Sequence, residues 1–241
     1  MLKQDFITRH PRLLQIKEAA KRISDKKVPV LITGESGVGK EVFAGFIHDH
    51  SSQQEGPFVK INCAELPNEL VESELFGYEP GASTGVMNDR PGKFELADNG
   101  TLLLDEIGKI TPHFQATLLR VLYNHEYSRL GGKRVVHLNA RILSSTKVNL
   151  GERVKKGAFS LELYIKLSAI HFDIPPLYQR REDIPILCNY FLQKYRDFYK
   201  STVEEISPAL MDSFLRDDWP GNVRELENAV KRLVYPELDS D

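Results

Sequence analysis

Val28-Pro29-Val30-Leu31-Ile32-Thr33-Gly34-Glu35-Ser36-Gly37-Val38-Gly39-Lys40-Glu41 reads as a strand, a glycine-rich loop and the first turn of a helix, with the spacing G-x-x-x-x-G-K. Val42-Phe43-Ala44-Gly45-Phe46-Ile47 continues that helix. Glycines let such a loop curl until successive backbone N–H groups face inward, and the helix N-terminus adds its positive dipole end. The stretch is therefore expected to cradle the phosphates of a nucleoside triphosphate through Gly34 to Glu41, with the Lys40 ammonium on the β- and γ-phosphates. The Ser or Thr that ordinarily follows the lysine, and ligates Mg²⁺, is Glu41 here.

Working outward, Gly100-Thr101-Leu102-Leu103-Leu104-Asp105-Glu106 is a second motif. A run with no polar alternation suits a strand buried on both faces, as in a parallel sheet. Ligands of such sheets sit beyond the carboxyl ends of the strands, where Asp105 and Glu106 emerge. Asp105 is then the Mg²⁺ ligand and Glu106 the carboxylate that polarises an attacking water. On its own the segment could equally be a strand followed by an acidic helix cap; the phosphate loop upstream favours the nucleotide reading.

Further strands are expected at 58–62, 140–145 and 169–174, with helical patterns between them, among them 11–24 and 114–122. This alternation predicts an α/β fold, a parallel sheet sandwiched by helices. Pro175-Pro176-Leu177 ends it, and 184–200, 208–216 and 223–234 all read as helix. The expected division is a nucleotide-binding lobe over 1–176 and a small helical lid over 177–241.

Composition narrows the rest. A net charge of −2 in 241 residues offers no global basic field for nucleic acid. Cys63 and Cys188 are far apart in apolar surroundings and read as reduced, buried thiols, and the seven histidines show no metal-ligand spacing. No membrane-spanning run or signal peptide is apparent, so a cytoplasmic location is expected, and the chain reads as one module of a longer protein.

These motifs, together with Glu72-Ser73-Glu74-Leu75-Phe76-Gly77-Tyr78-Glu79, Arg90-Pro91-Gly92-Lys93-Phe94-Glu95, Arg129-Leu130-Gly131-Gly132, Arg180-Arg181-Glu182-Asp183-Ile184 and Asp218-Trp219-Pro220-Gly221-Asn222-Val223-Arg224-Glu225-Leu226, resemble one family closely. It is the central AAA+ ATPase domain of bacterial enhancer-binding, NtrC-like transcription activators that act on sigma-54 RNA polymerase. The resemblance runs from about Asp5 to Val234 and includes Glu41. It implies a P-loop AAA+ fold that uses ATP and Mg²⁺ and assembles as a homo-oligomer, a hexamer or a dimer. It also implies that Asn62 restrains Glu106 and that Arg224 is a lid arginine touching the γ-phosphate, a task suited to a forked, permanently charged guanidinium. RNA polymerase with its sigma factor is the implied partner. DNA would be read by a C-terminal helix-turn-helix domain absent from this chain, and control through a two-component receiver is a family habit.

The chain departs from the family in three places. The remodelling loop Gly-Ala-Phe-Thr-Gly-Ala is Gly81-Ala82-Ser83-Thr84-Gly85-Val86, so Ser83 stands where an aromatic ring presses on sigma-54. Two arginines that act across the subunit boundary are Ser160 and Lys166; such a finger is worth roughly 10³–10⁵ in rate. Lys147 occupies the place of a sensor asparagine. The expectation is a domain that binds ATP but hydrolyses it weakly or not at all, a nucleotide-dependent oligomerisation switch with impaired sigma-54 remodelling. The alternatives are an active ATP-hydrolysing ring, and a domain responsive to a cyclic dinucleotide such as c-di-GMP, for which Arg141, Arg180 and Arg181 are the candidate residues. The competing reading of those three is salt-bridged surface arginine.

Overall fold

A computed structural model describes residues 5–65, 67–80 and 89–235. At its centre lie five parallel strands, β1 (Val30–Thr33), β2 (Phe58–Asn62), β3 (Thr101–Asp105), β4 (Arg141–Thr146) and β5 (Ile170–Asp173), in the order β2-β3-β4-β1-β5. The central strands β1, β3 and β4 carry apolar runs because each feeds two cores. Val30, Ile32, Leu103 and Leu143 pack with helices α1 (Pro11–Ile23) and α2 (Lys40–Asp49) on one face. Leu31, Leu102, Leu104 and Ile142 pack on the other, against α3 (Asn68–Phe76), α4 (Lys93–Leu96), α5 (Pro112–Asn124), α6 (Leu150–Lys155) and α7 (Leu161–Leu167). Successive side chains of a strand point to opposite faces, so only a strand covered on both sides needs this composition.

The polar end of β4 looks inconsistent with burial until its bonds are followed. Ser144 donates to Val30 O at 3.3 Å, Ser145 donates to the Asp105 carboxylate, and Thr146 Oγ1 accepts from Val148 N at 3.2 Å. Every hydroxyl of the triplet is bonded, which is the condition for burying it.

A third core lies C-terminal to the sheet. Leu177 joins Ile184, Leu187, Cys188 and Phe191 of α8 (Ile184–Tyr199), Phe214 of α9 (Pro208–Arg216), Trp219, and Leu226 and Val230 of α10 (Asn222–Val234). Two short antiparallel ribbons, Gly77–Tyr78 with Arg90–Pro91 and Glu126–Ser128 with Val135–His137, stand outside the main sheet. They were not expected from the sequence, which lacks a strand-length pattern there. Residues 81–88, with Ser83 and the rest of the altered loop, lie outside the described residues.

The register brings the carboxyl ends of the strands level. Thr33 pairs with Thr146 on one side and Asp173 on the other, and Asn62 pairs with Asp105. The phosphate loop leaves β1 at this edge, and the acidic pair leaves β3 beside it.

Candidate nucleotide site

The loop from Gly34 to Gly39 owes its path to three glycines with positive φ, Gly34 (147°), Gly37 (79°) and Gly39 (102°). Two of them are also pinned by contact. A Cβ on Gly34 would lie 2.6 Å from Ile174 O, and one on Gly37 would lie 2.2 Å from Gly221 O of the lid. No other residue fits either place without moving backbone.

Lys40 opens α2 and is 8% exposed. Its ammonium donates to Gly34 O and Glu35 O, each at 2.8 Å, and so lies folded into the mouth of the loop. Burial pushes its pKa below the ordinary lysine value; the Glu106 and Asp105 carboxylates oppose that, and Lys147 and Arg224 reinforce it. One lysine therefore feels two carboxylates from β3 and two cations from β4 and the lid, groups separated by up to 184 residues in the chain. Glu41 faces away and pairs with Lys60 at 2.5 Å.

Asp105 is held by the Ser145 hydroxyl from the neighbouring strand, and its carbonyl accepts from Cys63 N at 2.9 Å. Glu106 follows in a left-handed conformation, φ 53° and ψ 41°, and its Oε2 is buried with no hydrogen-bond partner among the described residues. A left-handed backbone at a glutamate and an orphaned carboxylate oxygen are both unfavourable, and such costs gather where a carboxylate is kept for a ligand. Asn62 is engaged elsewhere. Its Nδ2 donates to Glu65 at 2.7 Å and its Oδ1 accepts from Ala64 N at 3.0 Å, so the implied restraint of Glu106 is not formed in this structure.

The lid closes on the loop through a residue the sequence reading passed over. Asn222 is fully buried; its Nδ2 donates to the Glu35 carboxylate at 2.9 Å and to Ser36 O at 3.1 Å, and its Oδ1 accepts from Leu177 N at 2.7 Å. Arg224 N donates to Gly37 O at 3.3 Å, while its exposed guanidinium stays free of ion pairs among the described residues. The available signal is the Trp-Pro-Gly-Asn-Val-Arg motif, in which Asn222 stands two residues before Arg224.

Arg141, Arg180 and Arg181 are not a converging patch, and the first two are not surface residues. Arg141 is 2% exposed and donates to Ser24 O and Ile23 O, capping the C-terminus of α1; burial lowers its pKa to about 10. Arg180, 1% exposed, donates to Val38 O at 2.7 Å, Pro175 O at 3.1 Å and Asp183 at 3.4 Å. Arg181 bonds Leu215 O and Asp218 within the lid. A guanidinium with five donors can saturate several carbonyls at once, which explains why two arginines are inside. Asp183 completes the seam by accepting from Thr8 Oγ1 at 2.7 Å and from the backbone of Arg9 at 2.5 Å and His10 at 3.2 Å.

On the far side of the sheet, Ser160 caps α7 by accepting from Leu163 N at 3.2 Å, and its own N–H donates to buried Gln115 at 2.7 Å. Lys166 lies over the Tyr123 ring at 4.7 Å.

A glycine cradle, its lysine and a carboxylate pair at the carboxyl edge of the sheet accord with the family models the chain matches, the sigma-54 interaction domain over residues 6–173 and the AAA+ ATPase lid domain over 178–239. The chain belongs to the sigma-54 interaction domain family. It is 45% identical over 229 residues to the regulatory protein AtoC of Escherichia coli, covering 95% of this chain and 50% of the relative. It is 50% identical over 205 residues to a Nif-specific regulatory protein of Herbaspirillum seropedicae, 85% and 38%. The crystal structure of NtrX from Brucella abortus in complex with ATP superposes with a TM-score of 0.89 at 34% identity, covering 98% of this chain and 52% of that one. The chain thus spans about half the length, or less, of these relatives. Among the described residues no helix is long and apolar enough to cross a membrane.

Proposed function

We propose that this domain is the nucleotide-binding module of a bacterial transcriptional regulator, with residues 1–176 holding ATP and Mg²⁺ and residues 177–241 acting as a lid. The observation that carries the reading is Lys40: a buried ammonium bonded, among the described residues, to two loop carbonyls, with two carboxylates and two further cations acting on it. The residues fit the ligand, since the loop is glycine where side chains would block it and Glu106 keeps an unbonded oxygen.

In this reading the loop amides from Gly34 to Glu41 and the Lys40 ammonium bind the phosphates, and Asp105, oriented by Ser145, holds the Mg²⁺ shell. The metal supplies charge neutralisation on the phosphates. Glu106 orients the water, and Arg224 approaches the terminal phosphate from the lid. Asn62 would act on Glu106 only after exchanging its Glu65 partner.

The module works as a switch, assembling with copies of itself as a hexamer or dimer and hydrolysing ATP weakly. Ser160 supports this, because its hydroxyl is committed to capping α7 and it offers no charge to a neighbour. Lys166 supports it less strongly, having a charge without a fork. RNA polymerase and its sigma factor are the proposed partners in the cytoplasm, with DNA contacted outside this module. The dispersal of Arg141, Arg180 and Arg181 gives c-di-GMP binding no support from those residues.

The test is ATP binding and steady-state turnover as protein concentration rises, with Lys40→Ala and Glu106→Gln as controls. The expected result is micromolar or tighter ATP binding, lost about 100-fold or more in Lys40→Ala, with turnover that stays low at every concentration. Turnover per subunit that climbs with concentration and disappears in both controls would sink the switch and establish a working ring.

A further inference from the structure

Every backbone carbonyl of the phosphate loop accepts a hydrogen bond from the protein. Gly34 O and Glu35 O accept from Lys40 at 2.8 Å each, and Gly39 O accepts from Phe43 N of α2 at 2.9 Å. The three between them are held from the lid. Ser36 O accepts from Asn222 Nδ2 at 3.1 Å, Gly37 O from Arg224 N at 3.3 Å, and Val38 O from Arg180 Nη2 at 2.7 Å. In a trans peptide the N–H points opposite to the C=O of the same unit, and the described chain has no cis bond. With their carbonyls fixed toward the lid, the amides of Gly37, Val38 and Gly39 are turned the other way. None of the three donates to a protein acceptor among the described residues, and α2 has no side-chain cap at its N-terminus.

These peptide units need holding. Gly37 and Gly39 have φ of 79° and 102°, and a peptide beside a glycine turns over at little steric cost. A unit turned over would present a carbonyl oxygen where an amide stood, and so repel an anion instead of binding it. Arg180 and Asn222 are placed to prevent this, because both are buried and fixed by other bonds. Arg180 also donates to Pro175 O at 3.1 Å and to Asp183 at 3.4 Å. Asn222 also donates to the Glu35 carboxylate at 2.9 Å and accepts from Leu177 N at 2.7 Å.

We infer that Arg180 and Asn222 are positioning residues of the phosphate loop. From the lid they fix the Ser36–Gly37 and Val38–Gly39 peptides, so that the Gly37 and Gly39 amides are free to receive phosphate. The inference rests on the nucleotide reading given above and adds to it what keeps the loop in its binding form. Neither side chain acts on the base or the ribose. Their effect therefore falls on any ligand that places phosphate in the loop, with or without a nucleoside.

The experiment is calorimetric titration of the whole chain, in Mg²⁺, with ADP and with inorganic pyrophosphate, for wild type, Asn222→Gly and Arg180→Met. Glycine tolerates the left-handed backbone at 222, where φ is 58°. Asp183 keeps its donors from Thr8, Arg9 and His10 when Arg180 is replaced. Emission of Trp219, the only tryptophan, checks that each variant is folded, and Asn222→Gly carries the test alone if Arg180→Met is not. Each variant is expected to lose about tenfold in affinity for both ligands. In glycine-¹⁵N-labelled protein saturated with ADP, Asn222→Gly should diminish the ADP-induced shift of the Gly37 amide, and Arg180→Met that of Gly39. Loss for ADP alone, loss for neither ligand, or equal changes at both glycines in both variants would overturn the inference and leave the nucleotide reading standing. Wild-type protein that binds neither ligand would overturn both.

Discussion

The seam between phosphate loop and lid differs in kind from the face formed by α5 and α7. At the seam, Arg180, Asp183 and Asn222 are buried polar side chains: Arg180 bonds Val38 O and Pro175 O, Asn222 bonds Glu35, Ser36 O and Leu177 N, and Asp183 bonds residues 8–10. On the α5–α7 face, Leu161 and Ile165 are 56% and 62% exposed, Tyr123 is 58% exposed, and Lys166 rests on the tyrosine ring. The first region contains its own partners, and a polar network of that sort fixes a single arrangement. The second presents exposed apolar side chains beside a cation stacked on a ring. In the proposed reading, nucleotide holding and action on a neighbour would be housed in separate parts of the fold, with Ser160 and Lys166 only in the second.

If the seam is the rigid part, breaking it should give the largest loss. Asn222→Ala removes three hydrogen bonds and leaves Leu177 N–H buried without a partner, at a cost of about 2–3 kcal/mol. Part of that cost is conformational, since Asn222 has φ 58° and alanine tolerates the left-handed region poorly. Asn222→Gly should therefore recover about 1 kcal/mol of the loss while leaving the bonds broken. Trp219, the only tryptophan, lies in the lid core and reports the unfolding in urea. Identical midpoints for wild type and Asn222→Ala would show that the loop and lid are not coupled through this residue.

A smaller effect separates the two readings of Ser160. As the cap of α7, Ser160→Ala should cost about 1 kcal/mol in thermal unfolding, the usual worth of an N-cap hydroxyl. Ser160→Thr or Ser160→Asp should restore most of it, as both side chains can accept from Leu163 N. If Ser160→Ala is neutral, the hydroxyl has no structural work on this face, and its presence there is simply the loss of a charge.

Much of this contrast could be read in advance, and what could not has a common cause. The apolar run Thr101–Leu104, the loop glycines and the lid helices follow from local pattern, and each appears within a residue or two of its expected bounds. Lys40, Asp105 and Glu106 were placed because their motifs are short and contiguous. Ser145, Asn222 and Arg180 were missed or misjudged because their partners lie 40, 186 and 142 residues away. Arginine carries a prior for the surface, and nothing local to Arg141 or Arg180 signals the carbonyls that admit them. The bonding of Asn62 to Glu65 lies in the opposite direction, a local turn that a role inferred from resemblance did not anticipate.

The two free thiols, one on each side of the seam, give the mildest probe. Burial, with the nearby Asp105 and Glu106 carboxylates adding to it, pushes Cys63 up to about 12 from 9.0, and burial alone does the same to Cys188. A folded-state pKa above the unfolded one means that the native protein keeps a proton the unfolded chain releases. The associated stability is intact below pH 9 and is lost as pH rises from there toward 12. At pH 9 half of the unfolded thiol is already ionised, so each cysteine lowers stability by about 0.4 kcal/mol relative to pH 7. Cys63→Ala and Cys188→Ala should each remove that increment from the pH 7 to pH 9 difference, whatever cavity cost they add at both pH values. ATP should then slow alkylation of Cys63, beside Asp105, more than that of Cys188 in the lid core. Equal protection of the two would mean that nucleotide steadies the lid as much as the sheet, and that the seam transmits binding rather than confining it.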